Sequence, residues 1–383
     1  MAVPDLVSLV ATRQTTYHGF EASFIGMNRF LITIFAVLLF GVATFGQEKP
    51  LSQAEYVKML YELPKNPDGK GGIVEALRRR GIEFALNDGV RSLTRSKSAN
   101  DDELKRALEE ADRRRQNPEA SRLPSTAETN AILEKARINN ANAVDEMPDF
   151  VVKQIITRSE SFAGTGNWRP YDNLIIAVSY SSEKGEQYRV LAQKGIPVND
   201  SVKASSYSGL DGATSGGEFV EDLHKIFKPA SKTTFELLTT DLVRGRRTLV
   251  YEYQITIDNN KDGGVGLKGP VYQATPAGEK GRIWIDRESC RVLRIEYVLT
   301  DIAKAFPVKA VSKTIEYDMV DIAGEKYLLP TLSDFRGTVE SFGRRFESRN
   351  LIRFKNYQKY GTEVKILDDD IKPDPEPTPI KPD

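Results

Sequence analysis

Residues 281–299, GRIWIDRESCRVLRIEYVL, decide the fold. Polar and apolar residues alternate here with the period of two of an extended strand, over Gly281 to Asp286 and again, after a turn, over Val292 to Leu299. Two such runs joined by so short a link form an antiparallel hairpin. Upstream, the same period runs through Phe150 to Val152, Leu174 to Tyr180, Tyr188 to Ala192, Thr233 to Leu238 and Thr248 to Ile257. Downstream it runs through Ser312 to Val320, Lys326 to Leu329, Leu332 to Glu340 and Arg344 to Phe354. About ten strands with hardly a helix between them predict an antiparallel sheet that curls to limit its edges.

One helix interrupts the strands. Ser215-Gly216-Gly217-Glu218 has the pattern of a capping box, and Phe219, Leu223, Ile226 and Phe227 make an apolar stripe that ends before Pro229. That stripe predicts a helix packed on one face of the sheet. Before the strands, residues 51–116 form a small helical module. Ser52 to Glu55 is a capping box, a short helix runs from Ile73 to Arg80 and is closed by Gly81, Ile82 to Leu86 alternates like an extended piece, and Asn100 with Glu103 opens a further helix. Residues 117–147 are a connector and a helix over Ala127 to Asp145. The β domain occupies 148–366, and 367–383 is a Pro-alternating tail expected to stay extended and disordered. The fold class is therefore α+β: a curved antiparallel half-barrel with a packed helix, preceded by a helical module.

At the start, residues 1–46 read as a leader and signal peptide, with translation expected from Met27. A positive Arg29 precedes the apolar run Phe30 to Phe45, and cleavage is expected before Gln47. The run is shorter than the ~20 residues that span a bilayer comfortably. An inner-membrane anchor over residues 30–45 is the alternative. Export places the mature chain in the periplasm or outer envelope.

The chain has 383 residues, with 54 Lys plus Arg against 54 Asp plus Glu, so its net field calls for no nucleic acid. A single cysteine, Cys290, excludes an intramolecular disulfide and a cysteine-built zinc site. The arginines around Cys290 would favour its thiolate, but with no second histidine or resolving cysteine it reads as an incidental residue of the turn between two strands. Only two histidines are present, and His224 flanks the apolar stripe of the packed helix. Asp258, Asn260 and Asp262 fit the first half of a calcium loop, but the twelfth position is Gly269, so a hairpin turn is the expectation and neither metal nor cofactor is implied. Ser181 and Lys184 have the spacing of an acylating pair but sit at a hairpin tip. Arg78 to Arg80 and Arg113 to Arg115 close helices, where cations complement the macrodipole; a patch for anionic headgroups is the alternative.

Met147-Pro148-Asp149-Phe150, Ser215-Gly217-Glu218-Phe219, Gly281 to Asp286 and Gly324 to Pro330 together resemble the exported β half-barrels of the lipoprotein-carrier (LolA/LolB-like) superfamily. The resemblance implies an envelope location and a non-enzymatic role, with a concave apolar face sheltering acyl chains of a lipid or lipoprotein. Phe219, Leu223, Phe227, Trp284, Tyr297 and Phe335 are the aromatic and aliphatic candidates for that cavity. The alternatives are an envelope scaffold with a filled β core, whose module or tail engages a protein partner, and a hydrolase with paired carboxylates.

Overall fold

The computed structural model describes residues 9–10, 49–66, 69–119, 121–145, 147–198, 207–261, 263–268 and 272–360. The signal segment, the anchor alternative over 30–45 and the Pro-rich tail lie outside the described residues. Among the described residues no helix is long and apolar enough to cross a membrane.

The helical module contains α1 (Gln53–Glu62), α2 (Lys70–Arg80), α3 (Asp88–Lys97) and α4 (Asp102–Gln116). Ser52 and Glu55 form the expected capping box on α1, and Gly81 closes α2 at a φ of 71° that favours glycine. Two expectations change. The extended piece over Ile82 to Leu86 reduces to one parallel bridge between Leu51 and Ile82. It is followed by α3, which Asn87 caps through Val90 N–H at 3.0 Å. The polar sequence of α3 hid it: only Val90 and Thr94 are buried, and the Thr94 hydroxyl meets that of Tyr56 at 2.9 Å. Asp101 rather than Asn100 caps α4, accepting Leu104 N–H at 2.9 Å.

After α5 (Thr126–Asp145), the chain builds β2 (Phe150–Phe162), β3 (Arg169–Ser181), β4 (Gly185–Gln193) and β5 (Ile196–Pro197). The short helix α6 (Glu221–Phe227) precedes β6 (Thr234–Val243), β7 (Arg246–Ile255), and the small hairpin β8 (Gly264–Leu267) and β9 (Gln273–Pro276). The last strands are β10 (Gly278–Asp286), β11 (Val292–Thr300), β12 (Val308–Ile322), β13 (Glu325–Ser341) and β14 (Arg344–Lys359). Leu9–Val10, here β1, pairs with β8.

Eleven strands form one open antiparallel sheet in the order β5-β4-β3-β2-β14-β13-β12-β11-β10-β7-β6. The first long strand, β2, pairs with the last, β14, so the domain's two ends meet in the middle of the sheet. The two strands expected over 326–329 and 332–340 are one. Pro330 lacks an N–H for the ladder, and β13 accommodates it beside a register shift opposite Glu316 and Tyr317.

The sheet is covered on both faces. Ile283, Ile295, Ile315 and Tyr317 pack on one face with Ile132 and Ala136 of α5 and Leu223 and Ile226 of α6. Residues of the opposite parity face the helical module, and many of them are charged. Arg78 reaches Glu296 at 2.7 Å and Arg106 reaches it at 3.3 Å. Arg294 pairs with Glu110 at 3.3 Å, Arg282 with Glu75 at 2.8 Å, Arg113 with Asp241 at 3.1 Å and Arg336 with Asp102 at 2.7 Å. Arg114 donates to the terminal α2 carbonyls of Leu77 and Arg78, at 2.8 and 3.3 Å. Of the triplets, Arg114 caps a helix, as expected, Arg78 and Arg113 join module to sheet, and Arg80 and Arg115 pair within the module with Glu55 and Asp112; Arg78, Arg113 and Arg114 are engaged within the protein, which removes them from a headgroup patch.

Burial pushes the Glu296 carboxyl up, but Arg106, Arg78 and Arg294 outweigh it and hold it below the usual carboxylate range. A buried carboxylate shared by several guanidiniums cannot be removed without stranding them. Replacing it, as Glu296→Ala, is expected to lower the unfolding free energy by about 3–5 kcal/mol. Urea denaturation at low and high salt checks this, since a loss from a buried network persists when screening removes exposed pairs.

Candidate ligand site

Between β5 and β6 the chain crosses the α6 face of the sheet as a strap, residues 210–220, that leads into α6. Its path is set by side chains on the strands. Arg158 on β2, held by Asp172 through two contacts of 2.6 Å, donates to the carbonyls of Asp211 and Ala213. Asn350 on β14 donates to the same Ala213 carbonyl at 2.7 Å. Further along, Lys313 on β12 donates to the Gly216 carbonyl at 2.7 Å, and Tyr317 to the Glu218 carbonyl at 3.0 Å.

The capping box expected at Ser215 does not start a helix. Ser215 donates its hydroxyl to Glu218 Oε1 at 2.9 Å, but Lys313 also draws that carboxylate, at 3.1 Å, down onto the sheet. Gly217 takes a φ of 83°, and α6 begins only at Glu221 with no side-chain cap. The apolar stripe is thus split. Phe219 precedes α6 and packs with Phe150 and Phe354 at ring distances of 5.2 and 5.3 Å, while Leu223 and Phe227 belong to the core under α6.

Beneath the strap lies a buried charged cluster. Lys313 touches Asp222 at 2.9 Å, Lys225 touches Asp222 at 3.1 Å and Glu279 at 2.6 Å, and the Tyr253 hydroxyl donates to Glu279 at 2.6 Å. Burial would lower both lysines. Glu279 and Asp222 outweigh it at Lys225, pushing it up to about 12, and at Lys313 Asp222 and Glu218 outweigh it and raise the ammonium above its ordinary value. Both stay ammonium ions at neutral pH and are unsuited to act as bases or nucleophiles there.

The cluster forms the floor of a cavity of about 340 Å³. Its apolar wall is Tyr180, Tyr297, Leu299, Val311 and Phe335, and its polar side carries Glu186, Glu221, Lys225 and the exposed His224. A second cavity, of about 220 Å³, lies in the seam between module and sheet, but ion-paired residues such as Arg78, Glu296 and Arg336 line it. Only the first combines apolar surface with a few convergent polar groups, the composition of small-molecule sites.

Of the six residues read from the sequence as cavity candidates, Tyr297 and Phe335 line this cavity. Phe219, Leu223 and Phe227 fill neighbouring cores. Trp284 lies on the module side, donating to Asp241 at 3.1 Å with Arg294 over its ring. The calcium half-motif is a turn: Asn260 donates to the Ala277 carbonyl at 2.9 Å, Asp258 sits in a 3-10 turn, and Asp262 lies outside the described residues. Among the described residues no cluster of three or more Asp, Glu, His or Cys could hold a metal. Cys290 is buried in the turn between β10 and β11, and burial pushes its thiol up. Ser181 and Lys184 meet only as a turn, the Ser181 hydroxyl accepting Lys184 N–H at 3.2 Å.

The charged floor was missed in the sequence, although one sign was readable. Lys313 shares the parity of Val311, Ile315 and Tyr317, which puts a cation in an inward-facing register.

Glu186 on β4 is the acid of the cavity held unionised furthest toward neutrality. Burial pushes its carboxyl up to about 7, and Glu218 and Glu221 add to this against the hydrogen bond from Tyr188. The unfolded chain releases this proton near 4.5 and the folded chain near 7, so this group's contribution makes stability fall as pH rises through that window. Thermal melts from pH 4 to 8 should show Glu186→Gln losing less stability across the window than the unaltered protein.

No protein-family model matches the sequence, and no curated protein matches it. Among solved structures, the chain is similar to a LolA superfamily protein, NE2245 from Nitrosomonas europaea, at 12% identity, over 64% of this chain and 97% of that one, with a TM-score of 0.30. It is similar to a DUF1329 family protein from Desulfovibrio piger at 12% identity, over 61% of this chain and 94% of that one, with a TM-score of 0.29. A chain of the Pseudomonas aeruginosa MucA/MucB complex is similar at 8% identity, over 58% and 94% of the two chains, with a TM-score of 0.17.

Proposed function

We propose that this chain is a non-enzymatic envelope protein that binds an apolar or amphiphilic ligand, a lipid or an acyl chain, between the strap and the sheet. One observation carries the reading: the cavity of about 340 Å³ with its wall of Tyr297, Leu299, Val311 and Phe335. Ligand pockets span about 300–1,000 Å³, so this one suits a single chain or a small amphiphile. The frame around it is stiff, because Arg158, Asn350 and Lys313 hold the strap by its backbone carbonyls. Preorganisation of that kind reduces the ordering that binding demands. Export to the periplasm or outer envelope remains part of the proposal, on the signal-like segment 27–46.

A second reading, an envelope scaffold with a filled core, is favoured by a specific fact. Phe219, Leu223, Phe227 and Trp284 are buried and packed against protein. The two readings differ in what the purified protein carries.

Native mass spectrometry of the full chain, exported and purified without detergent, is expected to show a stoichiometric lipid or fatty acid adduct. Leu299→Trp, placed on a partly buried wall position, fills the cavity and should weaken added fatty acid binding at least ~10-fold, the loss expected when good apolar burial of a chain is blocked. A clean apo mass that also refuses added lipid would select the scaffold.

A further inference from the structure

The polar end of the cavity carries more negative than positive charge. Four carboxyl side chains line it, Glu186, Glu221, Asp222 and Glu279, and Glu218, on the strap itself, turns its carboxylate onto Lys313 beside them. Against these five stand Lys225, Lys228 and Lys313. Lys313 is paired with Asp222 and Glu218, and Lys225 with Asp222 and Glu279. Glu186 has no ion pair of its own among the described contacts, and its one hydrogen bond comes from the Tyr188 hydroxyl to Oε2. Its other oxygen, Oε1, is buried without a hydrogen-bond partner, and so is Oε2 of Glu218, a residue with no exposed surface.

A buried carboxylate oxygen without a donor is costly, and in folded proteins such atoms are rare unless something else completes them. Water can satisfy an acceptor but leaves the excess charge as it is. A cation satisfies both. The same cavity offers apolar surface at Leu299, Val311 and Phe335, so a ligand that answers both ends has an alkyl chain and an ammonium head.

From this placement we infer that the cavity selects cationic amphiphiles, long-chain primary amines, with the ammonium group paired to the Glu186 carboxylate and the alkyl chain lying along Leu299, Val311 and Phe335. The inference rests on the binding function proposed above and adds the sign of the ligand's charge. A fatty acid is then the weaker ligand, since its carboxylate would meet Glu186 and Glu221.

The test is calorimetric titration of the full chain at pH 8 with decylamine, decanol and decanoate, each kept below its aggregation concentration. Decylamine, an ammonium ion at this pH, is expected to bind on the order of tenfold more tightly than decanol, the increment of one charge-assisted hydrogen bond, with decanoate weakest. In Glu186→Gln the decylamine-to-decanol ratio should collapse to within about twofold. Glu221→Gln, changed at an exposed position, gives the same direction by a smaller amount. If the three probes bind alike, or the preference survives in Glu186→Gln, charge selection is overturned while the cavity reading stands. If none binds, both fall.

Discussion

The Lys313 ammonium is the constraint on which the α6 side of the molecule depends. It sits 97% out of reach of solvent on a central strand and meets the Gly216 carbonyl, Asp222 and Glu218 at 2.7, 2.9 and 3.1 Å. A buried ammonium is tolerated only when surrounded by acceptors in good geometry. Satisfying it requires the strap and the first turn of α6 to be where they are. The Gly216 carbonyl and the Glu218 carboxylate come from the strap and Asp222 from the helix, so one side chain on β12 sets three points of a segment that has little regular structure of its own. Packing of Phe219 against Phe150 and Phe354 then anchors the strap's far side.

The opposite face of the sheet is held in a different way. Apolar burial within the module is confined to its own core around Tyr56, Leu60, Leu77 and Leu104. The seam with the sheet is a lattice of arginines and carboxylates. Non-directional burial would let two such surfaces slide, whereas guanidinium–carboxylate pairs fix register. The module is thereby part of the β domain's rigid frame.

This double coverage bears on function. A sheet flanked on one side by a charged seam and on the other by α5, α6 and the strap has little freedom to open, and its filled cores around Phe219 and Trp284 shrink the space a ligand can use. The cavity of the α6 face lies where the start of β4, the strap, α6 and β10 to β13 converge. Its wall is apolar because strand alternation turns Tyr297, Val311 and Phe335 inward, and its floor is charged because Lys313 and Glu279 occupy the same inward parity.

The sequence by itself determined the architecture. Period-two runs from Phe150 to Phe354 specified an antiparallel sheet, the box at Ser52 and Glu55 specified α1, and the stripe at Leu223, Ile226 and Phe227 specified a helix on the sheet. Local rules suffice for these, since alternation and capping act between residues close in the chain. The tertiary structure alone decided which inward residues face the cavity. Phe219 and Phe335 have the same chemistry, yet Phe219, carried by the strap itself, packs into the core around Phe150 and Phe354, while Phe335, buried on β13, borders the cavity, because the path of the strap across the sheet decides which neighbours each ring meets. It also decided that Arg78 and Arg113 of the arginine triplets join module to sheet and that Ser215 tethers a carboxylate where a helix cap was expected. Each of those outcomes depends on a partner more than 90 residues away, Glu296 for Arg78, Asp241 for Arg113 and Lys313 for Glu218, and no local pattern encodes such a pairing.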